Sequence, residues 1–258
     1  KLEKKKVRSV AQEFSRSCQI YDAANEQIRR AFADVANGQR LNAEAITELA
    51  NEITESVERN EYAMAILTRI RNQSTYLWEH AINSAVLMCG FGLYLGIKKE
   101  TLKTMTLGAL LHDVGAAKIP SGITNKPGKL TQNERQAMQK HVAWGYNICK
   151  QDGFDHKVIV EMVVNHHERL DGSGYPRGLQ EEKLSKLAKM IAIVDVYDAM
   201  TGDKAHKEGD QPINALRYLL GKKEHYDQAL VQQFIKYMGV HPVGSLVKLA
   251  SNKLAVVI

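Results

Sequence analysis

The stretch that most restricts what this chain can become is residues 166 to 176: His166, His167, Glu168, Arg169, Leu170, Asp171, Gly172, Ser173, Gly174, Tyr175, Pro176. It follows the apolar-periodic run Val158, Ile159, Val160, Met162, Val163, Val164, so the two histidines fall at the end of a helix and the remainder forms a loop. Adjacent side chains on an α-helix point about 100° apart, so the pair is poorly placed to share one metal and well placed to hold one each of two neighbouring ions. A plainer reading stays open: histidines at a solvated helix C-terminus, where the dipole favours cations. Gly172 and Gly174 suit tightly turned backbone and Pro176 stiffens the exit, so the loop is shaped rather than slack.

The 258 residues suffice for one large domain or a core domain with a helical extension. With 44% hydrophobic and 25% charged residues, the chain is an ordinary globular protein and disorder is not expected. The net charge of +6 favours an anionic ligand only weakly, because Lys1, Lys4, Lys5 and Lys6 crowd one terminus. Cys18, Cys89 and Cys149 form no paired motif, which argues against a disulfide framework or thiolate zinc site and for a reducing, cytoplasmic setting. The most apolar run, Ala85 to Ile97, is roughly 13 residues, too short to span a bilayer, and no signal peptide precedes it. The chain opens inside a charged helical pattern and reads as a piece of a longer protein.

Val7, Val10, Phe14, Cys18, Tyr21, Ile28, Phe32 and Val35 predict a long amphipathic helix ending near Asn37 and Gly38. A second helix, capped by Asn42, carries Ile46, Leu49, Ile53, Val57, Met64, Leu67 and Ile70, and the two make a helical hairpin or a dimer-forming stalk. Ser74 or Thr75 caps a third helix with His80 near its start. A fourth, from about Thr101, leads through Leu110 and Leu111 into His112 and Asp113; burying that charge without a partner or a metal would cost several kcal/mol, roughly. Residues 116 to 130 read as an ordered loop. Thr131 and Glu134 form a capping box opening a helix that holds His141. From Leu184 onward another helix places Asp195 and Asp198 on one face at i and i+3, Asp195 amid apolar residues and Asp198 equally suited to support a ligand from behind. Two more helices and an alternating tail, Leu246 to Ile258, predict a short C-terminal β-hairpin.

His80, His112, Asp113, His141, His166, His167 and Asp195 offer nitrogen and oxygen donors without thiolate, which suits iron, manganese or a hydrolytic zinc pair better than a structural zinc. In this order they resemble the HD superfamily of metal-dependent phosphohydrolases. The segment HHERLDGSGYP, the HD pair at 112–113, DVYDAMT at 195–201 and PVGSLVKL at 242–249, all in family order, narrow the resemblance to the HD-GYP family over about residues 73 to 258. The resemblance implies an all-α HD-domain bundle at 73–258 behind an N-terminal helical extension or linker at 1–72. It implies hydrolysis of a bacterial cyclic dinucleotide, cyclic di-GMP or 3′3′-cyclic GMP-AMP, to a linear dinucleotide. Asp113 would bridge two divalent metals, with His80, His112 and Asp195 on one and His141, His166 and His167 on the other. Iron or manganese is expected there, and zinc, nickel and magnesium also accept such donors. A hydroxide between the ions would attack phosphorus, Asp113 would take the water's proton, and Lys118 would reach the phosphate. Asp198, Lys204, Lys207, Arg169, Gly174, Tyr175 and Pro176 fall on the substrate side.

This sequence departs from the family pattern in three places. Ala116 stands where the family often has Lys, with Lys118 two places on. Tyr76 stands where some members carry a Glu for a third metal, so two metals are expected. Lys204, Ala205, His206 and Lys207 replace the usual Arg-Pro-Tyr run, and a lysine cannot copy a bidentate arginine clamp. A catalytically weak or inactive cyclic-dinucleotide sensor is the alternative, and an HD enzyme on ordinary nucleotides would leave the loop at 171–176 unexplained. The partners expected are the cyclic dinucleotide, a second copy through the N-terminal helices, and a signalling protein at the Gly-Tyr-Pro loop, with no DNA.

Overall fold

A computed structural model of the chain describes residues 8–70, 77–203, 208–239, 246–248 and 251–257. Eleven α-helices are described: α1 (Val10–Ala36), α2 (Ala43–Arg59), α3 (Glu61–Ile70), α4 (Leu77–Tyr94), α5 (Lys99–Leu111), α6 (Ser121–Thr124), α7 (Gln132–Gln151), α8 (Lys157–Asn165), α9 (Lys186–Thr201), α10 (Pro212–Gly221) and α11 (Gln228–Met238). The expected terminal hairpin is present as β1 (Leu246–Lys248) and β2 (Leu254–Val256), antiparallel with Leu246 opposite Val256. The architecture is the all-α bundle that the sequence predicts.

Helix α4 is the centre of the bundle: Ala81 to Gly92 are all buried, so this stretch is enclosed on every side. Helices α5 and α9 pack against it, with Leu102, Met105 and Leu110 from α5 and Met190, Ile191 and Val194 from α9 entering the same core. That core runs without a break from Ile20 on α1 to Phe234 on α11. The N-terminal helices α1 and α2 form a hairpin laid against α4 and α5. Buried polar bridges fix the register, the Tyr21 hydroxyl donating to Asn83 Oδ1 (3.2 Å) and the Thr54 hydroxyl to Thr106 Oγ1 (3.2 Å).

Two local expectations are corrected. The second helix does not run unbroken to Ile70 but stops at Asn60, which adopts an extended backbone. Its side chain accepts from the amides of Tyr62 and Ala63 (both 3.0 Å) and donates to the Arg8 carbonyl (2.8 Å). Asparagine competes for backbone partners in this way, so it restarts the helix instead of continuing it. The 116–130 loop is partly helical: a 3-10 turn spans Val114–Lys118 and α6 adds one turn, with Pro120 ahead of it. The caps proposed at Ser74 and Thr75, Tyr76, and the 242–245 part of the closing motif lie outside the described residues. No helix among the described residues is long and apolar enough to cross a membrane.

Candidate metal centre

Helices α5 and α8 end in the same way. The last carbonyls of a helix lack intrahelical partners, and here an imidazole one residue beyond the end supplies one. His112, the C-cap of α5, donates Nδ1–H to the Ala109 carbonyl (2.6 Å), and His166, the C-cap of α8, donates to the Val163 carbonyl (2.9 Å). Inside α7, His141 makes the same bond to Met138 (2.7 Å), again three residues back. A carbonyl can only accept, so each ring carries its proton on Nδ1 and, when neutral, presents the Nε2 lone pair to the site.

Those lone pairs converge on carboxylates. His141 Nε2 is 3.1 Å and His166 Nε2 3.4 Å from Asp113 Oδ1, and the two nitrogens face one another at 3.2 Å. His112 Nε2 is 3.9 Å from Asp195 Oδ1, His80 Nε2 3.0 Å from the same oxygen, and His167 Nδ1 3.6 Å from Asp195 Oδ2. Two groups result, Asp113 with His141, His166 and His167, and His80 with His112 and Asp195, the ligand atoms of each lying within 4.8 Å of one another. His166 and His167 share a group, contrary to the helical-angle expectation. Their ring centroids lie 4.1 Å apart, so the side chains reach a common group.

The electrostatics fit cations. Two imidazole nitrogens 3.2 Å apart repel unless a proton or a metal ion lies between them; burial pulls His141 down, but Asp113 raises it above the usual imidazole value, so without a metal that charge is a proton. Burial pushes the Asp113 carboxyl up, but the charge and hydrogen bond of His141, with those of His166, hold it well below the usual carboxylate range. Asp195 is also pushed up by burial and brought well below that range, chiefly by His112 and His80. Burial holds His166 below and His167 well below the usual imidazole value, so both stay neutral ligands. Burial pulls His80 down as well, but Asp195 and Asp198 override it and raise it well above; a cation at Nε2 would displace that proton. Each group can hold a metal ion through nitrogen and oxygen donors alone.

Asp198 lies behind the centre, buried, and accepts from His80 Nδ1–H (2.8 Å). Tyr175 lies beside the centre, its ring 4.6 Å from that of His167. Gly174 packs where any Cβ would collide with the backbone of His167, Glu168 and Arg169, so the loop can lie flat on the histidine turn only with glycine there. Arg169 is tied to scaffold, donating to the His166 (3.1 Å) and Glu168 (2.8 Å) carbonyls with its guanidinium 5.0 Å from the Tyr226 ring. Pro176 and Lys118 are exposed, and Lys204 and Lys207 lie outside the described residues. One residue that the sequence reading passed over organises the loop. Glu168, 1% exposed, accepts from the amides of Arg177 (2.8 Å) and Leu179 (2.9 Å), and Arg177 donates to Asn165 Oδ1 (2.7 Å). A carboxylate placed immediately before a glycine-rich turn, whose amides need acceptors, was the available signal.

A model of the HD domain family matches residues 66–230. Among relatives, "Cyclic di-GMP phosphodiesterase PA4108" of Pseudomonas aeruginosa is 33% identical over 253 residues, 97% of this chain and 60% of that protein. "3'3'-cGAMP-specific phosphodiesterase 1" of Vibrio cholerae is 34% identical over 158 residues, 61% of this chain and 36% of that protein. The chain thus spans less than two thirds of either. An HDG"Y"P protein from Bdellovibrio bacteriovorus superposes with a TM-score of 0.72 at 19% identity, covering 87% of this chain and 72% of the other, a likeness of fold. From the matched domain and the HD pair within it, the chain belongs to the HD domain family, and its His-His-Glu to Gly-Tyr-Pro loop is where it resembles the HD-GYP branch.

Proposed function

We propose that this chain hydrolyses one phosphodiester bond of a cyclic dinucleotide, cyclic di-GMP or 3′3′-cyclic GMP-AMP, to leave a linear dinucleotide, as a cytoplasmic signalling enzyme. The observation that carries this reading is the convergence of two His/Asp groups in a chain similar, over nearly its whole length, to a protein named for that activity. His80, His112 and Asp195 would hold one divalent ion and Asp113, His141, His166 and His167 the other. Iron or manganese is the assignment that an all-nitrogen-and-oxygen donor set favours. When bound, such ions neutralise phosphate charge and bring the pKa of water toward neutrality.

The protein's own groups do the rest. Asp113, held ionised, would offer a carboxylate oxygen that accepts a hydrogen bond from an attacking water. Three carbonyl-tied imidazoles keep their tautomer and orientation throughout the cycle. Asp198 fixes the plane of the His80 ring from behind. The loop carrying Tyr175 limits water on one side, and Lys118, exposed at the end of the turn that follows Asp113, supplies a mobile cation for the phosphate.

The test is incubation of iron- or manganese-reconstituted protein with each cyclic dinucleotide and separation of the products. Linear dinucleotide is expected; none from either substrate with both metals loaded refutes the proposal. His112→Ala and Asp113→Ala are expected to abolish turnover with helical content intact by circular dichroism. Turnover surviving Asp113→Ala with metal content unchanged would remove Asp113 from its role.

A further inference from the structure

The peptide that joins His166 to His167 is gripped from outside the metal centre. Arg169 Nη1 donates to the His166 carbonyl (3.1 Å) and to the Glu168 carbonyl (2.8 Å), so one side chain spans the turn from which both histidines reach the Asp113 group. Both bonds leave from one nitrogen, so the plane of the guanidinium can turn unless its face or its other end is held as well. Tyr226 does both: the guanidinium carbon lies 5.0 Å from the centroid of the Tyr226 ring, which is 3% exposed, and Arg169 also donates to the Tyr226 hydroxyl.

Tyr226 belongs to the connection between α10 and α11, far along the chain from the histidine turn, and this connection meets the loop again beside Arg169. The His225 carbonyl accepts from the Leu170 amide (3.1 Å), and His225 Nε2 lies 3.5 Å from Asp171 Oδ2. Lys189 of α9 ties the connection to the far arm of the loop, 3.4 Å from Asp227 and 2.8 Å from Glu181, and the Glu181 amide returns to the Leu170 carbonyl (3.0 Å). Arg169, Leu170 and Asp171 thus each meet His225 or Tyr226, neither of which offers a ligand to either metal group.

We propose that the connection between α10 and α11 anchors the histidine turn: Tyr226 is a positioning residue that seats Arg169, and Arg169 fixes the His166 carbonyl and with it the aim of the His166 and His167 imidazoles. The inference rests on the Asp113 group holding a metal ion, and not on which phosphodiester is cut. Removing a partner that orients a metal ligand costs about ten- to a hundredfold in metal affinity; this one acts through a carbonyl, so the lower end, about tenfold, is expected. The His80 group takes no ligand from this turn and should not feel the change.

The experiment titrates manganese(II) into the metal-stripped full chain by calorimetry, for wild type, Tyr226→Leu, Tyr226→Phe and Arg169→Lys, and records thermal melting of each without metal. His141→Ala is the reference that marks which binding step belongs to the Asp113 group. Wild type is expected to bind in two steps, and Tyr226→Leu and Arg169→Lys to weaken the Asp113-group step about tenfold while the other step is unchanged. A lysine has no planar fork with which to meet two carbonyls and a ring face together. Tyr226→Phe keeps the ring face and is expected to fall between Tyr226→Leu and wild type. Arg169 is partly exposed, so Arg169→Lys reads the anchor even where Tyr226→Leu fails to fold. Unchanged binding in the folded variants overturns the anchor, and so does equal weakening of both steps, which would make these residues general scaffold. Wild type that takes up no manganese overturns the metal centre itself, and the anchor with it.

Discussion

Gly115→Ala is a test of how the centre is held together. Gly115 follows Asp113 by two residues and packs on α7 at His141 and Gly145. A Cβ at Gly115 would fall well inside contact distance of the His141 carbonyl oxygen and the Gly145 amide nitrogen, and 3.0 Å from Gly145 Cα. All of these are backbone atoms, so no side chain can swing aside and the turn and helix must separate. Separation to the closest approach real Cβ atoms tolerate needs about 1 Å, a misplacement that on its own can cost about a hundredfold in rate. Overpacking adds about 1–3 kcal/mol of destabilisation. The displaced contact is the 3.1 Å approach of His141 Nε2 to Asp113 Oδ1, so the metal held by the Asp113 group should be lost before the His80 group is affected. Metal content by elemental analysis, turnover and urea unfolding together read this out. Full metal occupancy and wild-type turnover in Gly115→Ala would refute the claim that this backbone contact sets the distance between Asp113 and His141.

Glu168→Ala strands the amides of Arg177 and Leu179, so a loss of about 1–3 kcal/mol in chemical unfolding and faster proteolysis within 171–180 are expected; an unchanged cleavage pattern would contradict its organising role. Glu13, buried between α1 and α2, has its pKa pushed up by burial and brought below the ordinary value by Arg59, Ser56 and Arg8. A depressed folded pKa contributes stability that is present above the unfolded value and is lost as pH falls through the folded one. Glu13→Gln should therefore flatten the stability–pH curve below about pH 5, as followed by thermal melts, while a curve parallel to wild type would exclude the linkage. Lys118→Ala is expected to lower kcat/KM severalfold with metal content retained; equal loss of both would make it a structural residue.

The helices were legible because their apolar faces are periodic and their caps are local: Asn42 and the Thr131–Glu134 box stand where the sequence places them. The break at Asn60 was not, since the same periodicity runs through it and the side chain that caps the next helix is also held by the distant Arg8 carbonyl. The seven donors could be read from residue type and family order, because the chemistry of a metal-binding site admits few side chains. Their division into two groups was implied by the family resemblance and by no spacing; the packing that brings each group together is tertiary, depending on where α5 and α8 end and on Gly115 bringing α7 to Asp113. Local patterns fix elements and donor chemistry; distances between segments far apart in sequence are set by packing, which no local pattern encodes.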